Sequence, residues 1–218
     1  MGVRAEATVS LGEVRLPADV DGPDDATGVV LFAHGSGSSR HSPRNVAVAR
    51  VLQRRRLVTV LVDLLTAEED EVDARTAQWR FDIDLLADRL TGTLDWLAAE
   101  PTLGRLPVGL FGASTGAAAA LVAAAARPQR VAAVVSRGGR PDLAGPALSG
   151  VRAPTLLLVG GLDDQVITMN EQAAELLAAP HELRVVPGAG HLFEEPGTLD
   201  QVADAAADWF THHLPVPA

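Results

Sequence analysis

The chain has 218 residues, 47% hydrophobic and 21% charged, enough for one substantial core that needs no metal or disulfide staple. A net charge of -10 argues against a general binder of nucleic-acid backbones, since no basic excess exists to displace counterions. With no cysteine, disulfides, thiolate nucleophiles, zinc-thiolate sites and iron-sulfur ligation are excluded together.

The first residues, MGVRAEATVSLGEVRLPADV, carry no basic flank followed by an apolar block, and Glu6 breaks the pattern of a myristoylation signal. GAAAALVAAAA (116–126) is far shorter than the roughly 20 apolar residues of a membrane span. The expectation is a cytoplasmic chain with no membrane partner. Residues 5–16 alternate apolar and polar at Val9, Leu11, Val14 and Leu16 around Gly12, which predicts one or two short antiparallel strands. GVVLFAH (28–34) is a continuous apolar run, as expected of a strand covered on both faces, and it ends in the loop GSGSSRHS. Pro43 suits the first turn of a helix whose apolar stripe lies in NVAVARVLQRR (45–55). LVTVLVDLL (57–65) is the next strand, and the acidic stretch 66–80 is expected as a solvated loop with helical turns.

Leu86, Leu90, Leu94 and Leu97 then recur at helical spacing over 83–98. PVGLFGAS is a strand that stops at Ser114, and the alanine-rich segment after it is a helix, because alanine loses least on entering one. RVAAVVS (130–136), PTLLLVGG (154–161) and HELRVVPGAG (181–190) supply further strands, with helices around 168–179 and 198–213. Strand and helix alternate at least five times, with no internal repeat. The pattern predicts an α/β fold over residues 1–218 as a single domain: a mostly parallel sheet with helices on both faces and no separate cap.

Gly112 to Gly116 spell G-x-S-x-G between a strand and a helix, the spacing of a sharp turn that lifts a serine hydroxyl above the strand end. A glycine turn with an incidental serine has the same spelling, but the strand-turn-helix setting favours Ser114 as a nucleophile. Thr115 follows it at the helix start and would offer a backbone N–H. After the strand PTLLLVG, GGLDDQV offers Asp163 and Asp164; Asp163 is favoured as the carboxylate, with Asp164 capping the next turn. GAGHLF places His191 in a small-residue loop. His34, His41, His181, His212 and His213 are its rivals, of which His34 reads as structural. Serine, acid and histidine, in that order and each at a strand end, form the serial arrangement of a hydrolase triad. HGSGSS (34–39) would present N–H groups to a developing oxyanion, Ser36 first among them; a Walker phosphate loop would need Gly-Lys-Ser/Thr where this segment runs into Arg40.

VVLFAHGSGSSRHSPRN, LFGASTGAAAAL, LLVGGLDDQV and GAGHLFEEPG together resemble the α/β-hydrolase superfamily, and within it the dienelactone-hydrolase-like group, over roughly residues 20–214. The resemblance implies Ser114 as nucleophile, His191 as base, Asp163 as orienting acid, and Ser36 and Thr115 as oxyanion donors. It implies no metal and no organic cofactor. True dienelactone hydrolases use a cysteine nucleophile, which this chain replaces by serine. The implied activity is hydrolysis of a small-molecule carboxylic ester through an acyl-enzyme, with a thioesterase and a catalytically silent binding protein as the alternatives. The loops 64–82 and beyond Ser136 are expected to wall the pocket. Arg40, Arg44, Trp79 and Arg137 are candidate substrate contacts, with Arg140 and Phe81 beside them.

Overall fold

The computed structural model describes residues 3–214. A hairpin of β1 (Val3–Leu11) and β2 (Val14–Gly22) leads into β3 (Gly28–Ala33), α1 (Pro43–Arg54) and β4 (Leu57–Val62). Next come α2 (Ala67–Thr76), α3 (Ile83–Ala99), β5 (Val108–Ala113), α4 (Thr115–Ala126) and β6 (Val131–Arg137). The chain closes with β7 (Thr155–Gly160), α5 (Asp164–Leu176), β8 (His181–Val186) and α6 (Thr198–His213). Tight 3-10 segments lie at Leu103–Arg105 and Pro141–Gly150.

The strands form one sheet in the order β1-β2-β4-β3-β5-β6-β7-β8, parallel except for the β1–β2 and β2–β4 pairings. Side chains alternate across it and build two apolar layers. Val29, Leu31 and Ala33 of β3 face α3 and α4, whereas Val30 and Phe32 face α1 and α6. β5 repeats the division, with Leu110 on the first face and Phe111 on the second, where Phe32 and Phe111 stack with centroids 4.8 Å apart. Both faces are therefore covered, as the unbroken apolar runs required. No helix among the described residues is long and apolar enough to cross a membrane.

Three elements differ from expectation. The N-terminal hairpin extends over 3–22 rather than 5–16: Leu16, Ala18 and Val20 stay buried on one face while Asp19 and Asp21 point away. Pro17 is tolerated because β2 pairs with β4 only from Ala18 onward, so its missing N–H falls outside that ladder. The acidic stretch after residue 65 is not a loop throughout. Thr66 and Glu69 make a reciprocal capping box, which starts α2 despite its weak apolar stripe. α5 begins at Asp164, four residues earlier than its apolar periodicity indicated.

The topology also locates a crevice. From β3 the chain crosses to β4 on one side, while the next parallel strand, β5, lies on the other, so the loops leaving β3 and β5 part at their carboxyl ends. His34 ties the first of these loops down. Leu64 N–H donates to its Nε2 at 3.0 Å, so the ring proton sits on Nδ1, 3.0 Å from the Gly35 carbonyl. Burial holds its pKa below the ordinary 6.5, against the raising effect of Gly35 and of nearby acids.

Because the unfolded histidine takes up a proton before the folded one, its contribution to stability is complete above about pH 6.5 and is lost as the pH falls below that value. The urea midpoint of the wild type should therefore fall more between about pH 7.5 and pH 5 than that of His34→Gln. Equal losses in the two proteins would remove His34 as the source.

Candidate active site

Ser114 joins β5 to α4 with φ +50° and ψ -121°, a region that L-residues avoid and that costs of order 1–3 kcal/mol. Several hydrogen bonds fix the turn. Ser114 N–H donates to the Arg137 carbonyl at 3.2 Å, and the Ser114 carbonyl accepts from Ala117 N–H and Arg140 N–H, each at 3.1 Å. The flanking glycines make room. A Cβ on Gly112 would sit 2.4 Å from the Ala117 Cα, and one on Gly116 would sit 2.3 Å from the Ala33 carbonyl oxygen. The G-x-S-x-G spelling is thus a packing requirement of this turn, and it brings α4 against the end of β3.

Asp163 and His191 arrive from the next two loops. Gly160 lets the histidine loop close on the end of β7, since a Cβ there would lie 2.5 Å from the carbonyl oxygens of Ala189 and Gly190. Leu162 N–H donates to the Ala189 carbonyl at 2.9 Å and joins the two loops. Asp163 occupies the N-cap position of α5, yet its carboxylate makes no capping bond; Oδ2 instead lies 2.7 Å from His191 Nδ1. Asp164 is the exposed first residue of α5. Of the two neighbouring carboxylates, it is Asp163, the one the sequence favours, whose side chain meets the histidine.

Ser114, His191, Ser36, Arg44, Arg137 and Leu192 line one cleft of about 200 Å³. The Ser36 backbone belongs to the loop leaving β3. Thr115 is the first residue of α4, where a main-chain N–H has no acceptor within the helix. Arg137 is 6% exposed; burial first, and then the charge of Arg44, pull its pKa down to about 10, which leaves it cationic at neutral pH. Its Nη2 donates to Asn45 Oδ1 at 3.3 Å, and its guanidinium stands 6.0 Å from the Phe193 ring centroid.

Other expected contacts lie elsewhere. Arg40 donates to Asp63 through both its main chain and its guanidinium and stands 3.5 Å from Asp19, so it is neutralised outside the Ser114 cleft. Trp79 packs against the α3-side core, and Phe81 is exposed; neither lines the cleft. Arg140 is held by a bidentate contact to Asp142. The 64–82 segment borders the far side of the loop 34–39, through Leu65, Asp70 and Arg80, rather than the cleft itself.

Three supporting residues had no sequence signal. Asp73 is buried and accepts from Trp79 N–H, Arg80 N–H and Arg80 Nε, which fixes Arg80 against Gly37. Burial raises the pKa of Asp73, but these hydrogen bonds and the Arg80 charge outweigh it, so the net shift is downward. Asn45 meets Arg137 from α1. Asn170, buried on α5, donates to the Gly139 carbonyl at 3.0 Å and supports the turn that follows Arg137.

The family model described as "Dienelactone hydrolase family" matches residues 18–214. The crystal structure of a dienelactone hydrolase from Anabaena variabilis ATCC 29413 superposes with a TM-score of 0.97 at 59% identity, covering 98% of this chain and 99% of that one. Est1E from Butyrivibrio proteoclasticus shares the fold at a TM-score of 0.80 and 13% identity, over 95% of this chain and 98% of that one. A Mycobacterium tuberculosis (strain H37Rv) protein that carries the name of a phosphoribosyl transferase is 55% identical over 209 residues. The match covers 96% of this chain and 46% of that protein, so the chain spans about half the length of the curated relatives it matches.

The strained turn makes a stability prediction that is independent of any substrate. Ser114→Gly should raise stability relative to Ser114→Ala by about 1 kcal/mol, or roughly 2–4 °C in Tm, because glycine accepts the positive φ while alanine keeps the strain. Thermal unfolding of the two variants side by side measures it. An alanine variant as stable as the glycine one would show that the turn stores no strain.

Proposed function

The chain belongs to the dienelactone hydrolase family, and we propose that it is a serine hydrolase that cleaves a small carboxylic ester through an acyl-enzyme. The observation that carries the reading is the Asp163–His191 contact of 2.7 Å beside a serine held at the tip of a strained strand-to-helix turn, with serine and imidazole on one cleft. The 59% identity to a protein titled a dienelactone hydrolase supports it. The phosphoribosyl transferase name belongs to a protein about twice as long, and no such transfer is proposed for this chain.

Asp163 accepts a hydrogen bond from His191 Nδ1–H and so leaves Nε2 as the basic nitrogen. Ser114 Oγ attacks the ester carbonyl carbon as Nε2 takes its proton, and the carbonyl oxygen becomes an oxyanion facing the N–H groups of Ser36 and Thr115. Collapse expels the alcohol, which receives the proton from the imidazolium. A water deprotonated by the same nitrogen then attacks the acyl-serine, and the acid departs as Ser114 regains its proton. The cleft, about 200 Å³, is below the roughly 300–1,000 Å³ of drug-sized pockets, which fits a small substrate.

A fluorophosphonate should label Ser114, as read by peptide mapping, and Ser114→Ala should abolish labelling. Failure of folded protein to react with probes of several sizes favours the silent binding protein. Asp163→Asn should lower acylation by on the order of 10⁴-fold, with Asp164→Asn mild, because an amide at 163 stabilises the wrong imidazole tautomer; equal losses would reject the assignment. Matched ester and thioester panels address the leaving group: a thioester preference above about a hundredfold makes the protein a thioesterase.

The oxyanion assignment is tested by removing the donor itself. Ser36→Pro should reduce kcat by about 10² to 10³ while Ser36→Ala stays near wild type, since only proline deletes the N–H. Near-normal acylation in a folded proline variant excludes that N–H.

A further inference from the structure

The most buried arginine of the cleft stands out for what surrounds it. Four other partly buried arginines have carboxylates: Arg40 has Asp63 and Asp19, Arg80 has Asp73, Arg89 has Glu69 and Arg140 has Asp142, while Arg130, whose buried Nε and Nη2 are also unpartnered among the described residues, lies outside the cleft. Arg137, at 6% exposure, has none among the described residues, in a chain with 28 acidic residues to draw on. Its polar partner is the neutral Asn45 Oδ1, and its buried Nε has no hydrogen-bond partner among the described residues. Burying a cation without a counter-charge costs several kcal/mol, and a fold selected for stability alone would replace it with an apolar side chain.

A second cation is placed beside it. Arg44, on the first turn of α1, lines the same cleft and repels Arg137. Its Nη1 reaches Glu194 at 3.2 Å, but that carboxylate is 66% exposed and its attraction is weakened by water, while the buried Nε of Arg44 is unpartnered among the described residues. The α1 N-terminus opens on the same place through Ser42, Arg44 and Asn45, with no acidic residue in its first turn. Arg137 is fixed relative to the chemistry, because its carbonyl accepts the Ser114 N–H.

We propose, building on the serine-hydrolase reading, that Arg137 and Arg44 form a receptor for a phosphate group carried by the substrate, so that the ester cleaved is that of a small phosphorylated molecule. A carboxylate would neutralise Arg137 and leave Arg44 facing it. A phosphate monoester carries nearly two charges at neutral pH and three outward oxygens, enough to engage guanidinium groups that approach from β6 and from α1 together. The receptor adjoins Ser114 in a cleft of about 200 Å³, so phosphate and ester carbonyl lie only a few bonds apart in the substrate.

Binding is tested apart from turnover in the folded Ser114→Ala protein, with inorganic phosphate as the probe and acetate at equal ionic strength as the control. Phosphate should raise its Tm and acetate should not. Adding Arg137→Gln should abolish the shift, and adding the more exposed Arg44→Gln should weaken phosphate binding by about 10- to 100-fold, the range for losing one charge-assisted hydrogen bond. Turnover is then compared on one ester scaffold bearing phosphate, carboxylate or a neutral methyl cap. Wild type should favour the phosphate by about tenfold or more in kcat/KM, and Arg44→Gln should shrink that preference, lowering kcat/KM for the phosphate ester by a larger factor than for the neutral one. No phosphate shift, or a shift kept in both arginine variants, overturns the receptor. Equal or better response to acetate and to the carboxylate ester overturns the choice of phosphate. Arginine-dependent phosphate binding without cleavage of any ester upholds the receptor and rejects the acyl-transfer reading instead.

Discussion

The positive φ of Ser114 is the constraint on which the arrangement of the cleft depends, because it aims one side chain out of a continuous strand-helix junction and must be over-determined by its surroundings to persist. Hydrogen bonds from β6, from the loop after it and from the first turn of α4 supply that determination. Gly112 and Gly116 supply the space. The same bonds make Arg137 a neighbour of Ser114 through the main chain, so the turn and the buried cation are positioned by one network.

Topology explains why the other groups gather at this place. The loops leaving β3 and β5 diverge at the point where strand order reverses, and parallel strands bring every following loop to the same edge of the sheet. His191 and Asp163 come from adjacent strand ends, β8 and β7, and are stitched to each other through Gly160, Leu162 and Ala189. On the opposite side, His34 anchors the first loop to the end of β4, while the Asp73–Arg80 pair presses on Gly37. The loop containing Ser36 is therefore supported from two directions.

Electrostatics separates the arginines that build the fold from those that face the cleft. Arg80 and Arg89 are clamped by buried or half-buried carboxylates, which supply their counter-charges within the fold. Arg137, with no carboxylate among the described residues, and Arg44, whose carboxylate is largely exposed, instead line the cleft. In an acidic protein, such a concentration of positive charge is local, and the net charge of the chain conceals it.

The sequence by itself determined the α/β alternation, the two-sided sheet and the tight strand-to-helix turn at Ser114, because apolar runs and G-x-S-x-G spacing report strand burial and close packing directly. It understated the β1–β2 hairpin because Pro17 and the aspartates of β2 look like strand breakers until the pairing partners are known. It gave α2 only as helical turns in a loop, because the start of that helix rests on the capping pair Thr66–Glu69 rather than on apolar periodicity. Which arginine faces the cleft was decided by tertiary structure alone. Arg40, Arg44 and Arg137 are equivalent as loop-side cations in one dimension, and only the approach of Asp63 and Asp19 to the first, and of no carboxylate among the described residues to the last, sets them apart. Charge pairing depends on distances between residues remote in the chain, and those distances exist only once the sheet has brought its loops together.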